Sequence, residues 1–207
     1  MKKKIFLATN NEGKIERYKK LLAYAGLEFE VNTPKEFGLD RIVAKETGTT
    51  LAENAEIKAR AYLGKVDMPV LANDTGFFVE EEGLITTPKR SALTTKEERA
   101  LSKEEIAKKM SDFWRGIARK HGGRVNAAWI EAFVLIDESG ISHTAEARRN
   151  IILTDETYGE PHLELPVRAH YISKATNRPA VQHTEKEEML EMQPVLEALK
   201  NCLVKIR

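Results

Sequence analysis

The chain predicts a mixed α/β protein centred on one sheet, and three observations support this. Short apolar runs of strand length (5–8, 29–31, 70–72, 126–137, 151–153) alternate with segments whose apolar residues recur every three or four positions. Small polar residues and glycine stand where a run hands over to a helical period. No stretch approaches the roughly eighteen apolar residues of a membrane span. The expected architecture is a single domain over residues 1–207 with a second lobe at about residues 80–125.

Ile5 to Ala8 has the unbroken apolarity of a strand buried on both faces. The polar turn Thr9–Gly13 then opens a helix with Ile15, Tyr18, Leu21, Leu22 and Ala25 at helical spacing, ended by Gly26. Phe29 to Val31 reads as a second strand, and Pro34 with Gly38 marks a loop. Thr50 and Glu53 have the spacing of a capping box, which starts a helix at Leu51 that carries Ala55, Ala59 and Tyr62 on one face as far as Gly64. Asn54 and Lys58, four apart, share another face. Val70-Leu71-Ala72 is a buried strand that delivers Asn73-Asp74-Thr75-Gly76 to its end, with Phe77 to Val79 continuing it past a bend.

From Thr95 to Lys120 the sequence is charged and helical in period, with Ile106, Met110, Phe113, Trp114 and Ile117 as its apolar face and Gly122-Gly123 as its stop. Phe113 and Trp114 are expected to fill a core. Asn126 to Asp137 is a strand, Glu138-Ser139-Gly140 a hairpin turn into His143–Ala147, and Ile151 to Leu153 a further short strand. The last helix runs from about Glu185 to Leu203, holds Leu190, Leu196, Leu199 and Leu203 inward, and is kinked or split at Pro194.

Bulk properties narrow the function classes. With 207 residues, 42% of them hydrophobic, the chain builds a substantial core. Its 33 basic and 32 acidic side chains leave a net charge of +1, so no global field recruits nucleic acid or an anionic membrane, and any anion site must be local. The single cysteine, Cys202, cannot form an internal disulfide; it reads as a small buried hydrophobe and points to a reducing compartment. Met1-Lys2-Lys3-Lys4 is basic, but the four apolar residues that follow are too few for a signal peptide, so the expectation is a soluble cytoplasmic protein.

Three blocks carry chemistry. Amides of a polar turn that opens a helix face an anion, and Thr9, Asn11 and Lys14 can add hydroxyl, amide and ammonium donors there. This turn is not a Walker A loop, since one glycine precedes the lysine and no Ser or Thr follows it. By itself it also fits an ordinary strand-to-helix loop. Glu46 precedes a helix and Asp74 follows a strand; if they converge, the two carboxylates suit magnesium, which prefers oxygen ligands and takes others from water and phosphate. Taken singly, they fit a surface acid and a turn residue. The five histidines show no metal-type pair spacing.

The segments ATNNEGK (Ala8–Lys14), ETGTTLAENAEIKA (Glu46–Ala59) and ANDTG (Ala72–Gly76) resemble, in order and spacing, three motifs of the inosine triphosphatase family of nucleoside triphosphate pyrophosphatases. Pro88 to Ser91 echoes a weaker family segment. The resemblance implies an elongated mixed sheet with flanking helices, two lobes around a central cleft, and a homodimer. It also implies magnesium-dependent hydrolysis, with manganese as a possible substitute, of nonstandard purine nucleotides such as ITP, dITP and XTP to monophosphate and pyrophosphate. Carried onto this chain, Thr9, Asn11, Lys14, Lys58 and Thr75 match substrate-binding positions, Glu46 and Asp74 match metal positions, and Asp74 matches the catalytic acid that activates water.

The chain departs from that pattern in two ways. Asn73 stands where a second acid is frequent, and Arg17 replaces a frequent glutamate. The family's glycine- and aromatic-rich base-binding segment is missing near Tyr158–Pro166, and Glu191-Met192-Gln193 stands where a Ser-His-Arg signature is expected. Replacement base contacts are sought among Arg168, His170, Tyr171, Lys174, Asn177, Arg178 and His183, which also read as a polar surface loop. Hydrolysis of a different nucleotide, and nucleotide binding without turnover, remain alternatives.

Overall fold

A computed structural model of the chain describes residues 2–206. Its strands are β1 (Lys3–Leu7), β2 (Phe29–Asn32), β3 (Val70–Val79), β4 (Gly83–Ile85), β5 (Arg124–Ile136), β6 (Ser142–Thr154), β7 (Tyr171–Ser173) and β8 (Arg178–Pro179). Its helices are α1 (Glu12–Tyr24), α2 (Leu51–Arg60), α3 (Pro88–Ala92), α4 (Thr95–Ala100), α5 (Lys103–Lys120), α6 (Glu185–Glu191) and α7 (Gln193–Leu203). The strands form a large mixed sheet, as expected. Two compact units divide the chain. The first takes in the chain through Thr75, Glu131–Ala147 and the chain from Pro194 onward; the second takes in Gly76–Ile130 and Arg148–Gln193. Among the described residues no helix is long and apolar enough to cross a membrane.

In the first unit β1 pairs in parallel with both β2 and β3, and Ile5, Phe6 and Leu7 are all buried, which explains why the strand shows no alternation. Its pairing with β3 covers only Phe6–Val70 and Leu7–Leu71. Residues 73–75 of β3 therefore run on past the end of β1. Asp74 lies within a ten-residue strand rather than at the end of a short one, and the expected bend at Gly76 is absent. The helix after β1 buries Tyr18, Leu21 and Leu22, and Gly26 follows it at φ +67°, a conformation favourable only to glycine. Phe6, Ala8, Val70, Ala72, Val134 and Ile136 form a core with Ala55, Ala59 and Tyr62. Alanine at both positions one turn apart lets α2 lie close on the strands.

In the second unit Met110, Trp114 and Ala118 of α5 pack on Phe77, Val79, Ile151, Leu153 and Tyr171. The Phe77 ring lies 4.5 Å from Trp114 and 4.8 Å from Trp129, so these aromatics fill a core as expected. The single helical stretch expected over 95–120 is two helices. Ser102 accepts from the Glu105 amide at 3.2 Å while the Glu105 carboxylate accepts from the Ser102 amide at 2.8 Å, a capping box that starts a new helix inside an unbroken apolar period. Residues 143–147 and 151–153 belong to one strand, not two. Arg149 occupies a buried position among exposed Arg148 and Asn150, and its polarity masks the alternation.

The last helix is split, with the break at Met192 and Pro194 in the first turn of α7. The break changes the phase of α6, so Met189 and Glu191 are buried and Leu190, expected inside, is 53% exposed. Nor do His170, Tyr171 and His183 form a polar surface loop or a stacking platform; all three are interior. Arg149 donates to Glu191 Oε1 at 2.7 Å, the Tyr171 hydroxyl donates to the same oxygen at 3.0 Å, and His183 bonds Thr176 at 2.8 Å. Burial, and then the Glu191 charge, push the Tyr171 phenol well above its ordinary pKa.

Removing one member of a buried ion pair leaves the other charge without compensation. Glu191→Ala is expected to destabilise the protein by about 3–5 kcal/mol in urea unfolding, while the double change Arg149→Met with Glu191→Leu costs distinctly less. A loss in the double variant equal to the sum of the losses in Arg149→Met and Glu191→Leu measured singly would show that the pair is not coupled.

Candidate active site

The first unit brings together residues far apart in the sequence. Lys58, two positions from the end of α2, donates from Nζ to Asp74 Oδ1 at 2.6 Å, and the same nitrogen lies 3.1 Å from Glu46 Oε2. The Lys58 and Asp74 side chains are nearly buried, at 18% and 12% exposure, whereas Glu46 is 45% exposed. Lys14 Nζ donates to Asn73 Oδ1 at 3.2 Å, and Asn73 Nδ2 donates to Thr75 Oγ1 at 3.0 Å. The neutral amide of Asn73 thus holds Lys14 without cancelling its charge.

Local sequence explains how these side chains are held. The loop before α2 folds onto the helix's own first turn. Glu53 Oε2 accepts from the amides of Thr49 and Thr50 at 2.6 and 3.1 Å, and Asn54 Oδ1 accepts from the Gly48 amide at 2.9 Å. The hydrogen bonds to Thr49 and its amide hold the Glu53 carboxyl below the usual carboxylate range. These amides are thereby satisfied, so the loop is a brace that leads back to Glu46. Gly48 is required for the close approach: a Cβ there would meet Glu53 Cβ at 2.6 Å and the Asn54 backbone nitrogen at 3.0 Å.

The turn before α1 works differently. Asn11 is the N-cap and accepts from the Lys14 amide at 3.0 Å, Thr9 Oγ1 accepts from the Asn11 amide at 3.2 Å, and Asn10 ties the turn to the Asp40 carbonyl at 2.9 Å. The Thr9 and Asn11 side chains therefore shape the turn as acceptors. By their position in the first turn the amides of Glu12 and Gly13 have no intrahelical partner, and it is these that suit an anion.

Two further residues belong to the surroundings of Lys14. Arg17, one turn along α1, makes a forked pair with Glu131, with its Nη2 2.5 Å from Oε2 and its Nη1 3.2 Å from Oε1, and Tyr18 donates to Oε2 at 3.2 Å. Glu131 is fully buried. The signal in the sequence was a lone acid in the apolar run 127–136. Burial, and then the positive charges of Lys58 and Arg17, bring the Lys14 pKa down to about 8 against the opposing pull of Glu131 and Asp74. Lys14 and Lys58 are thus electrostatic neighbours, and the two sets of contacts form one site.

Chemically the site offers two carboxylates converging on one cation, a second ammonium beside them and a helix N-terminus. The Lys58 ammonium lies between the two acids, whose oxygens could also hold a divalent cation. Among the described residues no group of three or more His, Cys, Asp or Glu gathers. Such an ion would therefore draw its remaining ligands from water or an anion.

The model of the Ham1 family matches residues 5–160. The chain belongs to the Ham1 family. Relatives named dITP/XTP pyrophosphatase include that of Aquifex aeolicus (strain VF5), 43% identical over 77 residues, 37% of this chain and 35% of the relative. The protein of the same name from Vibrio parahaemolyticus is 44% identical over 78 residues, 38% and 37% of the two chains. The chain thus matches little more than a third of the length of these curated relatives. A HAM1 protein from Coxiella burnetii shares the fold with a TM-score of 0.73 at 21% identity, covering 98% of this chain and 99% of that one. A nucleoside-triphosphatase / dITP/XTP pyrophosphatase from Mycobacterium abscessus shares it with a TM-score of 0.69 at 17% identity, covering 98% and 100%.

The lowered Lys14 pKa has a direction that can be checked. A lysine whose folded pKa lies below its unfolded value costs stability while charged in the fold; that cost is greatest below about pH 8 and fades as the pH rises from there toward 10.5. NMR titration of the Lys14 ε-amine is expected to give a midpoint near 8, rising in Lys58→Met as one neighbouring cation is removed. A midpoint at 10.5 in the wild type would contradict the buried, cation-flanked placement.

Proposed function

We propose that this chain is a nucleoside triphosphate pyrophosphatase that hydrolyses nonstandard purine nucleotides such as ITP, dITP and XTP to the monophosphate and pyrophosphate, and so clears them from the nucleotide pool. The observation that carries the reading is the convergence of Glu46 and Asp74 on one cation, with Lys14 beside them. The names of the relatives at 43–44% identity support the substrate class.

In this reading Lys14, Lys58, Thr75 and the Glu12 and Gly13 amides that the turn Thr9–Asn11 presents hold the triphosphate, and Glu46 and Asp74 hold magnesium, with manganese able to replace it. The bound ion supplies charge neutralisation at the departing pyrophosphate. Asp74 orients a water molecule toward the α-phosphorus and takes its proton. The water oxygen bonds to phosphorus as the bond from phosphorus to the α–β bridging oxygen breaks, and the electron pair leaves with pyrophosphate. Asn73 keeps Lys14 aimed without cancelling its charge, and a pKa of about 8 leaves the ammonium protonated at neutral pH and available to phosphate oxygens. The same reading makes the protein a soluble cytoplasmic homodimer whose partner is the nucleotide, with no role for nucleic acid or membrane.

Loss of a single electrostatic contact to a developing charge commonly costs about 10²–10³ in kcat. Asp74→Asn is expected to lose at least that in pyrophosphate release with magnesium present, and the wild type to prefer ITP, dITP and XTP over ATP and GTP in kcat/KM. Near-normal turnover by Asp74→Asn on every accepted substrate would overturn the assignment, and a preference for ATP or GTP would overturn the substrate class.

A further inference from the structure

The Lys58 ammonium cannot fill the space between two carboxylates and leave that space open to a metal ion. Lys58 Nζ lies 2.6 Å from Asp74 and 3.1 Å from Glu46, so the ammonium assigned to phosphate is here engaged by both carboxylates assigned to the metal. We infer that Lys58 is a resident counter-ion: it occupies the cation position between Glu46 and Asp74 until a polyphosphate draws it away, so that metal and polyphosphate each promote the other's binding. The inference rests on the pyrophosphatase reading of this site and adds to it an order of assembly.

Four features of the first unit support the exchange. The backbone at Lys58 is fixed, because Ala55 and Ala59 are fully buried and the start of α2 is braced by Glu53 and Asn54. The lysine's flexible four-carbon stem can move its ammonium by rotation about single bonds, with no shift of the helix. Two carboxylates brought this close would repel one another with no cation between them, and Lys58 removes that repulsion before any ion arrives. Finally, Lys14 carries the same charge nearby but donates to the neutral Asn73, so it competes with no metal for an acid. Coupling of this kind is reciprocal, because any ligand that binds Lys58 raises the affinity of the vacated carboxylates by the factor by which the metal raises its own.

The test is Mn²⁺ binding to the full chain without nucleotide, followed by the EPR signal of free Mn²⁺, with circular dichroism confirming that each variant is folded. Lys58→Met is expected to bind Mn²⁺ about tenfold more tightly than the wild type, within the range usual for coupled sites. Lys14→Met, which removes an equal charge from outside the acid pair, is expected to change the affinity far less. Lys58→Arg, which retains the cation, is expected to bind as weakly as the wild type. If Lys58→Met does not fold, Lys58→Gln carries the same expectation. Equal affinity in wild type and Lys58→Met, or equal tightening in Lys58→Met and Lys14→Met, overturns the counter-ion role while leaving the metal site intact. Absence of Mn²⁺ binding in every variant overturns the metal-dependent reading itself, and the counter-ion role with it.

Discussion

The site depends on keeping like charges close together without letting them neutralise one another in the wrong pairs. Two carboxylates, Glu46 and Asp74, share a single ammonium, and a second ammonium, Lys14, is held off by an uncharged amide. In water these groups would be paired at random and screened. Here the shortest contact, Lys58 to Asp74, is between side chains that are nearly buried, where charge interactions are stronger than at an exposed surface. Arg17, half-buried over the fully buried Glu131, extends the same pattern one helical turn away, placing a further cation next to Lys14 while Glu131 supplies its counter-charge.

Holding that arrangement falls to short-range structure. The β1 strand ends at Leu7, and β3 runs on beyond it, so the backbone from Asn73 to Thr75 is presented past the end of its parallel neighbour. That is where sheets of this kind leave room for ligands. The α1 N-cap and the α2 brace fix the two helices that carry Lys14 and Lys58. In both cases the side chains that a first reading assigns to a ligand, Thr9 and Asn11, or to a phosphate-type loop, Gly48 to Thr50, are largely occupied in ordering their own backbone. Chemistry is left to longer side chains that project from the ordered frame.

What the sequence made legible follows from the range of each interaction. The Thr50–Glu53 capping box, the Asn11 turn and the Gly26 stop are set by residues within four positions of one another, and all appear where the spacing put them. The convergence of Glu46, Lys58 and Asp74 was legible only through motifs, since spacing alone says nothing of how a loop, a helix and a strand meet. Arg17 with Glu131 spans 114 positions, and the sequence marks Arg17 alone, as a departure from a pattern. Arg149 with Glu191 defeated period-based reading altogether, because each is a charged residue at a buried position and polarity is what the period measures. The Ser102 capping box failed for the opposite reason: a strong local signal was overridden by an apolar repeat that continued across it.

The most direct test of the central claim is a crystal structure of the chain with Mn²⁺ and a non-hydrolysable nucleoside triphosphate analogue. The account predicts an anomalous peak bonded to oxygens of both Glu46 and Asp74, with Lys14 and Lys58 turned onto the phosphate chain. A metal peak elsewhere, or an analogue bound with its phosphates away from these four side chains, would contradict it.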